Sequence, residues 1–474
     1  MDFPAGPTWL SVLPPLIAIV TALVTKQVFL SLFAGIWLSW IIMDGGNIVV
    51  GLGHAIQALV DVFKSDGNTR TIMFSALMGS LIALTQRSGG VVGFIRWVTK
   101  AGLVTTRRGA QLLAYFLGLG IFLESNITCL VSGAISRPLC DKFKVSREKL
   151  AYICDSTSAA VCILIPMNGW GAFILAIFVV QGIDQPVKTL LTANLFNFYA
   201  IFTVVLVFYI VITGKDWGPM ARAEKRAVET GKVLRDGAAP LVSSDVLALA
   251  AKDGVEPRAS NMIVPLVVML VSMPLGLYIT GNGNFLAGSG STSVLWAVLA
   301  ALTVAFVMYV SQRIFSLAEF MELVLSGISG LMPVALLMMM AFAIGAASTE
   351  LRTGEYLAGL TEGVLSPSLV PAILFVMTGF IAFSTGTSWG TFAIMLPIGI
   401  PMAETIGADL HVTIGAVLAG GIFGDHCSPI SDTTIISSMA ASSDHIDHVN
   451  TQLPYALATG AAATIMFLLA GTIV

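Results

Sequence analysis

The chain has 474 residues, 56% of them hydrophobic and 11% charged, with a mean hydropathy of +0.89. Soluble domains carry about 25% charged residues, so composition excludes an ordinary soluble protein and implies a polytopic membrane protein whose first partner is the lipid bilayer. A net charge of −3 gives no reason to expect nucleic acid or another polyanion as a partner.

Apolar segments of roughly spanning length occur over residues 9–25, 28–43, 48–63, 71–86, 149–181, 190–213, 260–280, 293–311, 323–347, 411–440 and 453–473. The first begins at Trp9 with almost no basic residues before it and no small-residue cleavage site, and reads as a retained span rather than a signal peptide. Five cysteines (Cys129, Cys140, Cys154, Cys162 and Cys427) lie in or beside apolar runs without metal or redox spacing and read as free thiols.

Between residues 87 and 149 the basic residues are informative. Arg96, Lys100, Arg107 and Arg108 precede an apolar stretch, and Arg137, Lys142, Lys144, Arg147 and Lys149 follow it. By the positive-inside rule both flanks are cytoplasmic. The 28 residues between Arg108 and Arg137 make about 42 Å of helix at 1.5 Å per residue, whereas two crossings need about 40 residues. The segment 109–136 is therefore expected to be a re-entrant hairpin with its tip at Glu124-Ser125-Asn126-Ile127-Thr128.

The long hydrophilic stretch 214–259 holds eight Lys and Arg residues and reads as a cytoplasmic linker between an N-terminal half, 1–213, and a C-terminal half, 260–474. The second half has its own hairpin candidate at 368–404, with a polar centre at Ser384-Thr385-Gly386-Thr387-Ser388. Its flanks are acidic (Glu350, Glu355, Glu362, Glu404 and Asp409), and no Lys or Arg follows Arg352. This hairpin is expected to open on the external side.

Each hairpin is preceded by an apolar span and a charged, glycine-containing stretch. Each is followed by a span interrupted at an Asp and small polar residues: 149–181, containing Asp155-Ser156-Thr157-Ser158, and 411–440, containing GDHCSPISDTT. Interrupted spans at matching positions of two halves mark an inverted repeat and its binding site. The expectation is an all-α membrane protein of about eleven transmembrane helices plus two re-entrant hairpins, with the N-terminus cytoplasmic and the C-terminus external. In that topology the segment SSDHIDHVN, 442–450, falls on the cytoplasmic side without any Lys or Arg.

Four polar centres could thus meet inside the bilayer, where irregular backbone is tolerated only beside protein or a water-filled cavity. They bring Glu124, Asp155, Asp425 and Asp432, with no Lys or Arg among them. Carboxylates in spans are costly and are usually functional, and four that repel one another take up protons or metal ions. Na⁺ prefers oxygen ligands, which Ser125, Asn126, Thr128, Ser156, Thr157, Ser158, Ser384, Thr385, Thr387, Ser428, Ser431, Thr433 and Thr434 offer. The Na⁺ set is expected among Asn126, Asp155, Thr385, Asp425 and Asp432.

Plainer readings stand beside these. Any single hydroxyl could bond a backbone carbonyl or join helices, Asp155 could cap the helix after it, and Pro429 argues for a break between Asp425 and Asp432. His426 is either a pH-responsive group or a hydrogen-bonding bridge. Glu124 is harder to make structural. His445 and His448 read as surface-loop residues, and Arg87 and Arg352 as side chains reaching for the interface.

The segment Gly424-Asp425-His426-Cys427-Ser428-Pro429-Ile430-Ser431-Asp432-Thr433-Thr434 resembles the G-D-x-x-S-P-x-S-D-T-T signature of NhaC-type sodium/proton antiporters. Ser-Asn-Ile-Thr at 125–128 is similar to the Ser-Asn-Thr hairpin tips of the wider superfamily that includes sodium-coupled dicarboxylate carriers. The resemblance implies a homodimer in a bacterial-type plasma membrane, with scaffold and transport domains and elevator-type movement. Better-known members have a basic residue and Met where this chain has His426-Cys427. The resulting expectation is a Na⁺/H⁺ antiporter with no cofactor beyond its transported ions. The alternative is a Na⁺- or H⁺-coupled carrier of an amino acid or other small organic solute. An intramembrane aspartyl enzyme is disfavoured, because Asp425 and Asp432 lack the flanking pattern such enzymes show, and the paired hairpins suit alternating access better than a channel.

Overall fold

The structure, a computed structural model, describes residues 8–25, 27–100, 104–122, 124–240, 251–252, 254–285, 288–353, 356 and 366–473. Part of the linker (241–250 and 253) and part of the charged stretch before the second hairpin candidate, including Glu355 and Glu362, lie outside the described residues. No β-strand occurs among the described residues; one isolated bridge joins Pro240 to Asp444.

The first half comprises α1 (Leu13–Thr25), α2 (Val28–Met43), α3 (Ile48–Asp61), α4 (Asp66–Arg87), α5 (Gly90–Lys100), α6 (Arg107–Gly120), α7 (Ser125–Lys142), α8 (Arg147–Ser156), α9 (Ala159–Leu164), α10 (Gly169–Val180), α11 (Pro186–Leu195) and α12 (Phe198–Thr213). Helix α13 (Gly218–Thr230) lies within the linker. The second half comprises α14 (Ser260–Thr280), α15 (Gly290–Ser311), α16 (Leu317–Glu350), α17 (Val370–Thr385), α18 (Ser388–Ile406), α19 (Leu410–Cys427), α20 (Asp432–Ala441) and α21 (His445–Ile473).

Among the described residues, eight helices are long and apolar enough to cross a membrane, or ten if each of two bent pairs counts as one span. The pairs are Ile48–Lys64 with Asp66–Arg87, bent by 87°, and Arg147–Leu164 with Gly169–Val180, bent by 40°. Two shorter apolar helices, Trp9–Thr21 and Phe29–Met43, stand beside them. Aliphatic side chains such as Val49, Val205 and Leu469 remain exposed on the bundle surface, as lipid-facing positions require.

Helices start where the sequence supplies side-chain oxygens for their first amides. Asn47 accepts from Val49 and Val50, Ser146 from Lys149 and Asp409 from Val412. Ser316 and Glu319 form a reciprocal capping box at the start of α16. Helix α4 crosses α16 through glycines: a Cβ added to Gly79 would lie 2.0 Å from the Gly327 carbonyl oxygen, and one on Gly327 would lie 2.4 Å from that of Gly79. Small residues at such a crossing let two backbones touch, the usual device where lipid offers no hydrophobic drive for association.

The linker is less open than its composition suggests. Helix α13 buries Met220, Ala223, Glu224 and Ala227, and Glu224 accepts hydrogen bonds from Arg107 at 2.5 Å and from the Ser146 amide at 2.8 Å. Beyond it, Arg235 grips both carboxylate oxygens of Asp447, at 3.1 and 2.9 Å, and the Ala239 amide donates to Asp444 at 2.9 Å. Arg147 and Arg137 also reach the 441–442 region. The segment 442–450, which has no Lys or Arg of its own, thus takes its basic partners from the linker, from α7 and from the start of α8.

Candidate functional site

Residues from four chain breaks line one cavity. The first separates α6 from α7, where Glu124 caps α7 by accepting from the Ile127 amide at 2.8 Å. Glu124 is therefore structural in one respect, which the sequence reading disfavoured. The second separates α17 from α18 at Gly386 (φ +67°) and Thr387, and Thr387 accepts from the Gly390 amide at 3.5 Å. Glu124 and Thr387 thus play matching parts in the two halves. A Cβ on Gly386 would lie 2.7 Å from the Ile430 carbonyl oxygen, so only glycine satisfies both the left-handed φ and the close approach.

The third break runs through Thr157–Ser158, between α8 and α9, and through 165–168, before α10. Asn168 donates to the carbonyl oxygens of Phe122 (2.8 Å), Cys162 (2.8 Å) and Ile165 (3.0 Å), which ties this break to the first. The fourth lies between α19 and α20 around Pro429, and Ser428 donates to the Phe383 carbonyl oxygen at 2.7 Å, tying it to the second. The polar breaks therefore satisfy one another in pairs, as buried backbone must.

Asp155 is inside α8, not at the cap of α9, which is Ser158. Its Oδ2 accepts from Gln452 Nε2 at 2.6 Å and lies 3.4 Å from His448 Nε2. Its buried Oδ1 has no partner. The same Gln452 amide donates to the His426 carbonyl oxygen at 2.7 Å. His426 uses both ring nitrogens, Nε2 with Ser156 Oγ at 3.0 Å and Nδ1 with Tyr199 Oη at 2.7 Å. These contacts join α8, α12 and α19 through one ring.

Asp425 is 2% exposed and has an unpartnered Oδ1; it lies beside Asp432, Ser431 and Ser388. Asp432 interacts with Asn126 and accepts from the Thr433 amide at 2.9 Å. Asn126 Oδ1 and Thr434 Oγ1 are also buried without partners. The other hydroxyls are occupied with backbone. Thr128, Thr157, Ser158, Ser384 and Thr385 donate to the carbonyl oxygens of Glu124, Ile153, Asp155, Phe380 and Ile381, at 2.7–2.9 Å. Ser125 Oγ is 3.5 Å from Glu124, and Thr433 bonds Ser431 at 3.0 Å.

Asp432 lies within electrostatic reach of Glu124, Asp425 and Asp155, and Asp155 also reaches Asp425 while bonding Gln452 and facing His448. Among the described residues, no group of three or more His, Cys, Asp or Glu is placed to hold a metal ion. The arrangement offers single carboxylate oxygens with hydroxyl and amide oxygens, a donor set that suits a hard monovalent cation rather than a transition metal. A cavity of about 300 Å³ opens between the halves, lined by Glu124, Asn126, Trp170, Thr387, Trp389 and Asp432 among others.

His448 and His445 were expected on a surface loop; the structure places both in the first turn of α21. His448 is fully buried against Asp155. His445 donates from Nε2 to the Pro429 carbonyl oxygen at 2.7 Å and meets Ser438 Oγ at 3.0 Å through Nδ1. The charge of DHIDH hid a helix start: Asp444 accepts from the amides of Ile446 and Asp447. Gln452, one helical turn beyond His448, completes the set that sequence reasoning missed. The spacing of four between 448 and 452 was the signal available.

Residues 172–472 match the model of the Na⁺/H⁺ antiporter family. The chain belongs to that family. It is 34% identical to a protein of Haemophilus influenzae over 99% of this chain and 92% of the relative. A shorter match, 31% identical over 107 residues and 23% of each chain, is to the malate-2H⁺/Na⁺-lactate antiporter of Bacillus subtilis. The fold is similar to that of the Alcanivorax borkumensis YdaH transporter, with a TM-score of 0.53, 14% identity and 88% of each chain covered. The protein is accordingly a multi-pass membrane secondary transporter, and its family is one of antiporters rather than enzymes.

Proposed function

We propose that the protein exchanges Na⁺ for H⁺ at a carboxylate site in the middle of the bilayer. The observation that carries this is the pair of buried, unpartnered oxygens Asp155 Oδ1 and Asp425 Oδ1, in a centre with no Lys or Arg at its polar breaks. A buried carboxylate oxygen without a donor is costly unless a proton or cation completes it. Alternate loading by the two ions gives exchange without any further device. Asp432 and Glu124 extend the negative field along the cavity, and Asn126, Thr385 and Thr434 add neutral oxygens.

The rest of the cycle follows the same reading. The segments 109–136 and 368–404 act as hairpins entering from opposite faces, and 149–181 and 411–440 as the broken spans of two inverted repeats. The linker and the segment 442–450 share the cytoplasmic face, which leaves the C-terminus outside the plasma membrane. Helices α4 and α16, locked through Gly79 and Gly327, belong to a static scaffold at a dimer interface, and the hairpins and broken spans move past them as an elevator.

Proteoliposomes with an imposed pH gradient and an interior pH dye test the proposal. Na⁺ added outside is expected to drive proton movement in the wild type and none in Asp425→Asn. Equal flux in both, or none in the wild type, would remove the proposal.

A further inference from the structure

We propose that the cavity between the halves binds an α-amino acid as its zwitterion, with an apolar side chain, as a cargo coupled to the cation. This deepens the transport reading above and rests on it for the coupling, though not for the binding.

Size comes first. A volume of about 300 Å³ is roughly ten times that of a water molecule in the liquid and reaches the lower end of the range for organic-ligand pockets. A bare monovalent ion needs none of this space.

The polar groups are then of two opposite kinds. Acceptors come from Glu124 and Asp432, and from Asn126, whose Oδ1 is buried without a partner. These suit an ammonium group. The donor is Trp170, 3% exposed and lining the same cavity, with an Nε1–H that has no partner. An unpaired buried donor is as costly as an unpaired acceptor, and it suits a carboxylate.

Helix ends repeat the donor theme. The cavity is met by the N-terminal turns of α7 (Asn126), α10 (Gly169 and Trp170), α18 (Trp389) and α20 (Asp432). Each such end carries roughly half a positive charge, with some of its first amides already taken by Glu124, Asn168 and Thr387, and broken helices in carriers aim these ends at a substrate carboxylate. Among the described residues no Lys or Arg lines the cavity, so an organic acid without an amine would face two carboxylates unaided. An amine without a carboxylate would leave the indole N–H without a partner. Only a zwitterion satisfies both sets.

The remaining wall selects the side chain. Phe74, Met78, Leu331, Val334 and Leu337 supply apolar surface from α4 and α16, and the rings of Trp170 and Trp389, also on the wall, stand 5.0 Å apart at 44°. A charged side chain would be desolvated there without a partner, whereas a branched aliphatic or aromatic one would not.

Equilibrium binding to the purified full chain in nanodiscs tests this, with L-leucine, L-isoleucine, L-valine, L-methionine and L-phenylalanine as probes. At least one is expected to bind. For leucine, the two truncated analogues, isoamylamine (no carboxylate) and 4-methylpentanoate (no amine), are each expected to bind at least tenfold more weakly. Trp170→Phe, which keeps the ring and removes the N–H, is expected to weaken the amino acid about fivefold and to leave isoamylamine unchanged. Asp425→Asn is expected to abolish Na⁺/H⁺ exchange while amino-acid binding persists, which separates the two readings. Binding by none of the five amino acids, even with exchange intact, would overturn the inference. Isoamylamine binding as tightly as leucine would overturn it too.

Discussion

Asp155 Oδ2 and the His426 carbonyl oxygen share one donor, the side-chain amide of Gln452, at 2.6 and 2.7 Å. One residue of α21 therefore fastens the broken span of the first half to that of the second, at the carboxylate assigned to the ion. Replacing Gln452 with Leu leaves two buried acceptors unpaired, at about 1–3 kcal/mol, and frees the Asp155 carboxylate to rotate. Apparent Na⁺ affinity is expected to fall roughly 10–100-fold, the usual effect of losing a supporting contact behind a ligand, with the melting temperature lowered as well. Exchange kinetics across a Na⁺ titration, with a thermal melt, check both.

Hydroxyls divide into those occupied by backbone and those not. Thr157 Oγ1 donates to the Ile153 carbonyl oxygen, which also accepts from the Thr157 amide, so Thr157→Val leaves no orphan and is expected to be silent in transport. Thr434 Oγ1 is buried without a partner. Thr434→Val is expected to weaken Na⁺ by about fivefold, one hydrogen-bond equivalent of roughly 1 kcal/mol, with no loss of stability. Side-by-side Na⁺ titrations of the two variants read the difference.

The α4–α16 crossing has no room for a side chain at Gly79 or Gly327. Valine at either position forces the helices apart and also strains the Ser80 Oγ bond to the Val324 carbonyl oxygen at 2.8 Å. Overpacking of this kind costs about 1–3 kcal/mol. A lowered melting temperature with unchanged Na⁺ affinity is expected, since neither glycine offers a side-chain oxygen to the ion.

Outside the spans, Asp444 is held below the usual carboxylate range. Burial pushes its carboxyl up, but the amides of Ala239, Asp447 and Ile446, with Arg235 nearby, outweigh it. A depressed folded value means that the contact stabilises above the unfolded value of about 3.9 and is lost as pH falls through the folded one. Protease sensitivity of 231–240 is expected to be flat from pH 8 to 5 and to rise only below about pH 4. Asp444→Ala is expected to make 231–240 protease-sensitive at neutral pH.

Much of this architecture was legible in the chain. Helices α2 and α14 have the bounds that hydropathy alone predicted, 28–43 and 260–280, because uninterrupted apolar length is a strong signal. Breaks beside Asp155 and at Pro429 announced themselves through small polar residues and proline. The partners of Asp155 did not. HIDHVNTQ has the polarity of a loop, and only docking against α8 makes His448 and Gln452 interior residues. Gly79 and Gly327 were equally silent, since a glycine in an apolar helix does not name the helix it touches. The structural reading of Glu124 was disfavoured, because its capping bond depends on where α7 begins.

The central claim is that Na⁺ and H⁺ compete for the same buried carboxylates, and Na⁺ binding to the purified protein measured calorimetrically across pH tests it most directly. The account predicts an apparent Kd that weakens as pH falls, approaching one decade per pH unit for each proton displaced, with the dependence abolished in Asp155→Asn/Asp425→Asn. Na⁺ binding of constant affinity from pH 5 to 9, or unaltered in the double variant, would contradict it.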